Sequence, residues 1–348
     1  EMEEYIPIST PEALAEKLGL RPDQIIKLDG NENPYGCSPR VPKALAEFAS
    51  YHRYPDPMQS EARSMLARYV GVPADYLMFG MGSDELIDDL LRVYLEPGDE
   101  VIECPPTFGM YSFSTQICAG RIVRVPRGEQ FQIDLEAVER AITPQTRVIF
   151  VDSPNNPSGL VTSREQVERL LAAGRLVVVD EAYAEFASFT ATNMVLDHPN
   201  LVVLRTFSKW AGLAGLRAGY GVFPQAVIRQ LWKMKQPYNL NLAAQIAVQE
   251  SLMDVDLLMS NVRKIVDERE RLLRTLSTVE YLRVHPSEAN FLLCDLLEGD
   301  AVELVGFLAR RGIIIRYFKK PRVSNSIRIS IGRPEQNDAV VAALREWR

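Results

Sequence analysis

The stretch from Asp180 to Arg217 constrains this chain more than any other, because it sets charged residues directly after two apolar runs. The first run, residues 176–179, is β-branched and apolar, which is typical of a strand buried on both faces of a parallel sheet. It stops at Asp180, which is therefore predicted to lie at the carboxyl edge of the sheet, where open α/β sheets bind ligands. Because an unpaired buried charge is costly, this acid is expected to have a cationic partner.

The second apolar run, residues 201–204, leads to further polar residues at the neighbouring strand end, namely Thr206, Ser208, Lys209 and Arg217. With Asp180 and Tyr183 they suit pyridoxal phosphate, which needs a lysine amine for its aldehyde carbon and an acid for its pyridine nitrogen. Its phosphate needs hydroxyl groups, backbone N–H groups and an arginine. Each residue alone could be an ordinary polar residue at a strand end, but the ordered set favours the cofactor.

The order of elements predicts an α/β fold. Strands and helices alternate over residues 77–222, which indicates a mostly parallel sheet with helices on both faces. Two long amphipathic helices at 241–253 and 255–276 follow, and short strands at 291–294, 313–315 and 327–331 alternate with helices near 301–310 and 335–346. We expect a large cofactor-binding domain at 36–254, a smaller α+β domain at 255–348, and an N-terminal arm at 1–35 that joins the small domain.

Composition excludes several classes of function. The chain has 348 residues, a net charge of −7 and no lysine or arginine runs, which argues against a nucleic-acid partner. It shows no secretory leader and no apolar run long enough for a membrane span, so a cytoplasmic protein is predicted. The four cysteines have no CxxC spacing and the three histidines are scattered, which disfavours a metal site. No GxSxG elbow indicates a serine hydrolase.

Three segments in the predicted large domain have two interpretations each. Gly82, Ser83 and Asp84 open a helix, where they could cradle a phosphate, or Ser83 or Asp84 could be an ordinary N-cap. Phe108 follows a strand end, so it could stack on a flat cofactor ring or belong to the core. Asn156 lies in a turn-rich segment, so its amide could reach the cofactor or simply belong to a tight loop.

Two further features concern ligands and partners. Arg316 and Arg328 lie at the end of or within apolar strands, where each could bind an anion or form an internal ion pair. Tyr54 lies on an arm that Pro55 and Pro57 stiffen, so its side chain could reach a neighbouring subunit. The segment 27–36 is rich in turn formers and could be a turn and no more.

These segments together resemble the pyridoxal-phosphate aminotransferases that share the aspartate aminotransferase fold. They occur in the family's order and span nearly the whole chain. The matching segments are NENPYG at 31–36, RYP at 53–55, GSDE at 82–85, PPTFGMY at 105–111, SPNNP at 153–157, DEAY at 180–183, SK at 208–209, LAGLR at 213–217 and IRI at 327–329.

The resemblance implies a role for each site residue. Lys209 bonds to the cofactor and moves the proton, Asp180 pairs with the pyridine nitrogen, and Tyr183 contacts the ring oxygen. The remaining cofactor contacts that it implies are Asn156 at the ring oxygen, Phe108 stacked on the ring, Tyr54 from the other subunit of a homodimer with shared sites, and Gly82, Ser83, Asp84, Thr206, Ser208 and Arg217 at the phosphate. The substrate contacts that it implies are Tyr5, Asn156, Arg316 and Arg328.

Many relatives have tyrosine where this chain has Phe108, so one substrate hydroxyl contact is missing here. Within the family, the motifs are most similar to the enzymes of histidine biosynthesis that use histidinol phosphate and 2-oxoglutarate. Aromatic amino-acid aminotransferases share much of the set, and so do threonine-phosphate decarboxylases. A non-catalytic regulator of the same fold would carry a DNA-binding domain or lack Lys209, and this chain has the lysine and no basic helix-turn-helix segment.

The resemblance also implies cis peptide bonds before two prolines. Asn156–Pro157 and Pro105–Pro106 both follow predicted strand ends. An X–Pro bond makes the cis form accessible, although trans is the usual state. We therefore predict both bonds to be cis.

Overall fold

Two β-sheets organise the chain in a computed structural model that describes residues 8–347. The strands are β1 (Ile26–Leu28), β2 (Leu77–Met81), β3 (Glu100–Glu103), β4 (Arg121–Arg124), β5 (Thr146–Asp152), β6 (Leu176–Asp180), β7 (Leu201–Thr206), β8 (Ala218–Val222), β9 (Leu282–Val284), β10 (Phe291–Leu296), β11 (Ile313–Tyr317) and β12 (Ser326–Ser330).

Helices separate most of these strands. They are α1 (Pro11–Leu18), α2 (Arg40–Glu47), α3 (Ser60–Val70), α4 (Gly82–Tyr94), α5 (Met110–Ile117), α6 (Leu135–Ala141), α7 (Arg164–Leu171), α8 (Gln225–Met234), α9 (Leu242–Leu252), α10 (Val255–Leu276), α11 (Ala301–Ala309) and α12 (Pro334–Glu346). Over residues 8–347, none of them combines the length and hydrophobicity needed to cross a membrane.

The larger sheet has seven strands in the order β2-β8-β7-β6-β5-β3-β4. β8 runs antiparallel to both of its neighbours, β2 and β7, and the other pairs are parallel, so the predicted mostly parallel sheet is confirmed. Successive residues of β6 point to opposite faces, and Val177 and Val179 enter one buried cluster while Val178 enters the other. Both faces are therefore covered, which explains why the strand is apolar throughout rather than alternating.

The smaller sheet has five strands in the order β1-β11-β12-β10-β9. Four of them come from the C-terminal part, and β1 pairs in parallel with β11, with Ile26 opposite Ile313. The sequence did not predict β1 or β9, because each has only three residues and no periodicity can be read from such a length.

Local signals fix several element boundaries. Thr10 is the N-cap of α1 and accepts a hydrogen bond from the Ala13 N–H, Pro11 occupies the first helical position, and Gly19 ends the helix in the left-handed region at φ +68°. The two predicted cis bonds, Pro105–Pro106 and Asn156–Pro157, are both present, and Ser153–Pro154 is a third that was not predicted.

Close backbone contact at Gly219 joins β8 to the start of α4. A Cβ at this position would lie 2.4 Å from the Gly82 carbonyl carbon and 2.4 Å from the Ser83 nitrogen. Both atoms belong to the backbone, so neither can move aside as a flexible side chain would. Glycine is therefore required here by space.

We predict that Gly219→Ala lowers the free energy of unfolding by about 1–3 kcal/mol, as overpacking typically does. Urea unfolding followed by circular dichroism measures this. The matched control is Gly306→Ala within α11, where the new Cβ would meet nothing closer than the Arg310 Nη1 at 3.6 Å. That change should stabilise by roughly 0.5–1 kcal/mol, because alanine favours a helix interior. Equal effects of the two substitutions would contradict the steric argument.

Candidate active site

A cleft of about 840 Å³ lies where the two sheets meet. Its floor is the carboxyl edge of the large sheet, where Asp152, Asp180 and Thr206 end three neighbouring parallel strands. The small sheet contributes Arg316 and Arg328. The predicted site residues that line the cleft are Ser83, Asp84, Phe108, Asn156, Asp180, Tyr183, Thr206, Ser208, Lys209, Arg217, Arg316 and Arg328.

Lys209 projects its amine into this cleft from the loop after β7. Its Nζ donates a hydrogen bond to the Gly30 carbonyl at 3.1 Å, and Asn33 holds the lysine's own carbonyl through its Nδ2 at 3.1 Å. Burial, and secondarily the Arg328 charge, lower the pKa of Lys209 to about 8. A larger fraction of the amine is therefore neutral near physiological pH than in an ordinary lysine, and only the neutral form is a nucleophile or base.

Asp180 is a buried carboxylate. The Tyr111 hydroxyl donates to its Oδ2 at 2.8 Å and the Ala182 N–H donates to its Oδ1 at 3.1 Å. The expected cationic partner is not found: within residues 8–347, Asp180 accepts these two hydrogen bonds but makes no ion pair. Burial therefore dominates and raises the pKa of Asp180 to about 7. The carboxylate would favour a cation brought into the cleft by a ligand.

Tyr183 lies three residues beyond Asp180 and faces the same cleft. Its hydroxyl accepts a hydrogen bond from Asn31 Nδ2 at 2.9 Å, and burial raises its pKa to about 12. Asn31 also receives the Ser330 hydroxyl on its Oδ1 at 2.9 Å. Through Asn31, the segment after β1 connects the floor of the large sheet to the last strand of the small one.

The start of α4 and the loop before β8 form a second corner of the cleft. Arg217 donates from Nη2 to Asp84 Oδ2 at 2.8 Å, and its carbonyl accepts from the Gly82 N–H at 3.0 Å. Ser83 and Asp84 lie in the first helical turn, whose N–H groups have no intrahelical acceptor. Neither Ser83 nor Asp84 is the N-cap, so the capping interpretation is wrong. Met81 is the N-cap residue, and its N–H donates a hydrogen bond to the Glu85 carboxylate.

Thr206 and Ser208 complete this corner. The Thr206 hydroxyl accepts from the Ser208 N–H at 3.1 Å and donates to the Ser208 hydroxyl at 2.9 Å. Arg217 itself lies in the left-handed region at φ +54°, where a non-glycine residue is strained. Hydroxyls, helix-start amides and a guanidinium thus converge at one point, which is the donor set that a phosphate requires.

Asn156 and Arg328 join the two sides of the cleft. Arg328 donates from Nη1 to Asn156 Oδ1 at 2.6 Å and from Nη2 to the Asp29 carbonyl at 2.6 Å. Arg316 is directly opposite Arg328 in the antiparallel pair of β11 and β12. Asp152 fixes the Asn156 loop by accepting from its N–H at 2.9 Å.

The sequence matches a known family. The family described as Aminotransferase class I and II matches residues 23–344. The chain belongs to this family.

Several relatives are similar over nearly the full chain. Histidinol-phosphate aminotransferase of Roseiflexus castenholzii is 51% identical over 354 residues, covering 99% of this chain and 95% of its own. The chloroplastic histidinol-phosphate aminotransferase of Nicotiana tabacum is 41% identical, with coverage of 99% and 84%. Histidinol-phosphate aminotransferase from Sinorhizobium meliloti, solved with pyridoxal-5'-phosphate, superposes with a TM-score of 0.87 at 27% identity and covers 99% of this chain and 96% of its own.

Three predicted residues of this aminotransferase lie away from the cleft or outside the described part of the chain. Gly82 does not line the cleft but adjoins Ser83 and Arg217, which do. Tyr54 is 80% exposed and stacks on Tyr238 with ring centroids 4.3 Å apart, so it does not contact the cleft of its own chain. Tyr5 lies outside the described residues.

Three cleft residues were missed as functional candidates. Tyr111 occurs in the sequence analysis only within the segment PPTFGMY, and its contact with Asp180 is not visible in the sequence. Asn31 occurs there only within the segment NENPYG and in a possible turn, with no role of its own, although its φ of +53° could be anticipated from the turn-forming residues. Asp152, which ends β5 as Asp180 ends β6, could have been found by the same strand-end rule.

The lowered pKa of Lys209 gives a test on the cofactor-free protein. Competitive acetylation of Lys209, followed by mass spectrometry, should rise with pH through a midpoint near pH 8, because the protonated amine does not react. A free lysine peptide, which titrates near about 10.4, serves as reference. Coincident curves for the two amines would contradict the lowered pKa.

Proposed function

We propose that this aminotransferase uses pyridoxal phosphate to interconvert histidinol phosphate and 2-oxoglutarate with imidazole acetol phosphate and glutamate. The observation that carries the substrate is the pair Arg316 and Arg328, directly opposite each other in the cleft that contains Lys209. A carboxylate needs one arginine, whereas a phosphate monoester is larger and carries close to two charges. The relatives named histidinol-phosphate aminotransferase support the same substrate.

The residues present fit the cofactor on two observations. Asp180 is a buried carboxylate that lacks a cation among residues 8–347, and a protonated pyridine nitrogen is the cation it would accept. The corner of Ser208, Arg217 and the first turn of α4 offers the donors that a phosphate takes. When bound, pyridoxal phosphate withdraws electrons from the substrate Cα and so acidifies its C–H bond.

The chain's own groups would hold this cofactor and move the proton. Lys209 would hold it through its amine, and Nζ would take the proton from the substrate Cα as a general base. Asp180 would keep the pyridine nitrogen protonated, and Tyr183 with Asn156 would contact the ring oxygen. Phe108 would stack on the ring, and the phosphate would be held by Thr206, Ser208, Arg217 and the backbone at 82–84.

The same proposal covers organisation. We assign an N-terminal arm to 1–35, a large cofactor-binding domain to 36–254 and a small domain to 255–348. Pairing of β1 with β11 supports the association of the arm with the small domain. The unpaired state of Cys37, Cys104, Cys118 and Cys294 supports a cytoplasmic location.

We further propose a homodimer with shared sites, in which Tyr54 reaches the cofactor of the neighbouring chain. The exposure of Tyr54 outside its own cleft supports this role. Contiguous exposed apolar patches commonly mark surfaces that another protein covers, and Tyr54 adjoins Tyr238, which is also exposed. The stacked pair with Tyr238 orients the ring before the partner arrives.

The substrate assignment predicts a clear kinetic preference. With 2-oxoglutarate as acceptor, kcat/KM should be higher for histidinol phosphate than for phenylalanine or tyrosine. Arg316→Ala should lower kcat/KM for histidinol phosphate by about 30-fold or more, since it removes one partner of a charged contact, and should affect phenylalanine less. Arg310→Ala, an exposed arginine at the end of α11, is the control.

A preference for phenylalanine would instead identify an aromatic aminotransferase. Release of carbon dioxide from threonine phosphate would identify a decarboxylase. Equal losses for both substrates in Arg316→Ala would mean that Arg316 does not read the phosphate.

Shared sites predict complementation between inactive variants. Tyr54→Ala and Lys209→Ala chains each lack one contribution to every site. When the two variants are unfolded and refolded together in equal amounts, about half of the dimers contain one chain of each kind. Each mixed dimer has one intact site out of two, which gives about a quarter of the wild-type activity. Activity at the level of the separate variants, or a competent monomer in light scattering, would refute the shared site.

A further inference from the structure

The loop after β11, residues 318–323, carries two consecutive lysines at the mouth of the cleft. Lys319 and Lys320 both line the cleft. Within residues 8–347 neither amine makes an ion pair or a hydrogen bond, so both charges are available to a ligand. A Cβ at Gly109, next to the ring of Phe108, would lie 3.7 Å from Lys320 Nζ. The amine is thus held on the side of the cleft that Phe108 forms.

Arg322 anchors this loop to the large domain. Its guanidinium donates three hydrogen bonds to consecutive backbone carbonyls, from Nη1 to Arg127 at 2.5 Å and Gly128 at 2.8 Å, and from Nη2 to Glu129 at 3.1 Å. The same group lies 5.2 Å from the ring centroid of Phe131. Arg322 takes a left-handed backbone conformation, φ +70°, to do so.

A small apolar cluster anchors the loop from below. Val323 packs with Phe131 and Leu293 in a buried group that Phe318 flanks. Phe131 comes from the large domain and Leu293 from β10 of the small sheet, so the cluster spans the junction. Residues on both sides of the two lysines are therefore packed or hydrogen-bonded to the rest of the protein.

The second substrate of the proposed reaction needs such a group. Histidinol phosphate carries one anionic group beside its amine, and its imidazole is neutral or cationic. The acceptor 2-oxoglutarate has a carboxylate at each end. If Arg316 and Arg328 take the group next to the reacting carbon, the distal carboxylate requires a further cation, and the chain's net charge of −7 would otherwise repel it.

We propose that Lys319 and Lys320 form a subsite for the distal carboxylate of the dicarboxylic amino acceptor, with Arg322 as the positioning residue. The subsite rests on the proposed function, because it names how that function's second substrate is held. Its ligand class is a linear five-carbon dicarboxylate.

The test compares 2-oxoglutarate with 2-oxopentanoate, which has the same chain length and a methyl group in place of the distal carboxylate. In Lys319→Gln/Lys320→Gln, kcat/KM for 2-oxoglutarate should fall about fivefold through KM, as expected for partly exposed charged contacts. Values for 2-oxopentanoate and histidinol phosphate should change less than twofold. Lys17→Gln/Lys43→Gln, with the same change in charge at exposed positions away from the cleft, is the control.

Equal losses for 2-oxopentanoate or for histidinol phosphate would overturn the subsite, since they would indicate a general field effect. Arg322→Gln should reproduce the rise in KM for 2-oxoglutarate with kcat retained, while an unchanged KM would refute its positioning role. Calorimetry of glutarate binding to the cofactor-loaded protein needs no turnover. A higher dissociation constant for glutarate in the lysine double variant would support the subsite, even if the proposed substrates do not react. An unchanged dissociation constant would refute it.

Discussion

Two buried ionisable groups that make no ion pair within residues 8–347, the Asp180 carboxylate and the Lys209 amine, determine how the rest of the site is built. Because the pKa of Asp180 is raised, folding stability falls as the pH rises from the ordinary pKa of an aspartate, 3.8, to about 7. Because the pKa of Lys209 is lowered, folding stability falls as the pH drops from the ordinary pKa of a lysine, 10.5, to about 8. Near neutral pH both groups therefore lower the stability of the fold, and a ligand that neutralises them would stabilise it by mass action.

The surrounding polar network holds these groups in place despite that cost. Tyr111 is itself buried, its pKa is raised by burial, and its hydroxyl donates a hydrogen bond to Asp180. Asn33 fixes the backbone at Lys209, and Arg328 connects the Asn156 loop to the segment after β1. Because these bonds cross between the two sheets, the position of the small sheet and the geometry of the chemistry are coupled.

Sequence reasoning located the site because its strongest signal is local. A charged residue that stops an apolar β-branched run is expected at a sheet edge, and Asp180 follows from that rule, while Lys209 lies in the loop after the neighbouring strand β7. The partners of these residues could not be read in the same way. Tyr111 meets Asp180 across 69 positions and Asn31 meets Tyr183 across 152, and neither pairing leaves a periodic trace in the sequence. The three-residue strand β1 was not predicted for a related reason: it is a strand because it pairs with the distant β11, and its own residues carry no periodic pattern.

The pairing of β1 with β11 also has a consequence for how the chain acquires its structure during synthesis. The strands of the large sheet lie within one continuous stretch and can associate while the ribosome is still at work. The small sheet includes β1 as an edge strand, and Asn31 bonds Ser330 across 299 positions. β1 therefore cannot pair until almost the whole chain has been synthesised. Contacts of such high order close slowly. The cleft, which needs both sheets, is therefore among the last features to form, and a nascent chain cannot hold its ligands early.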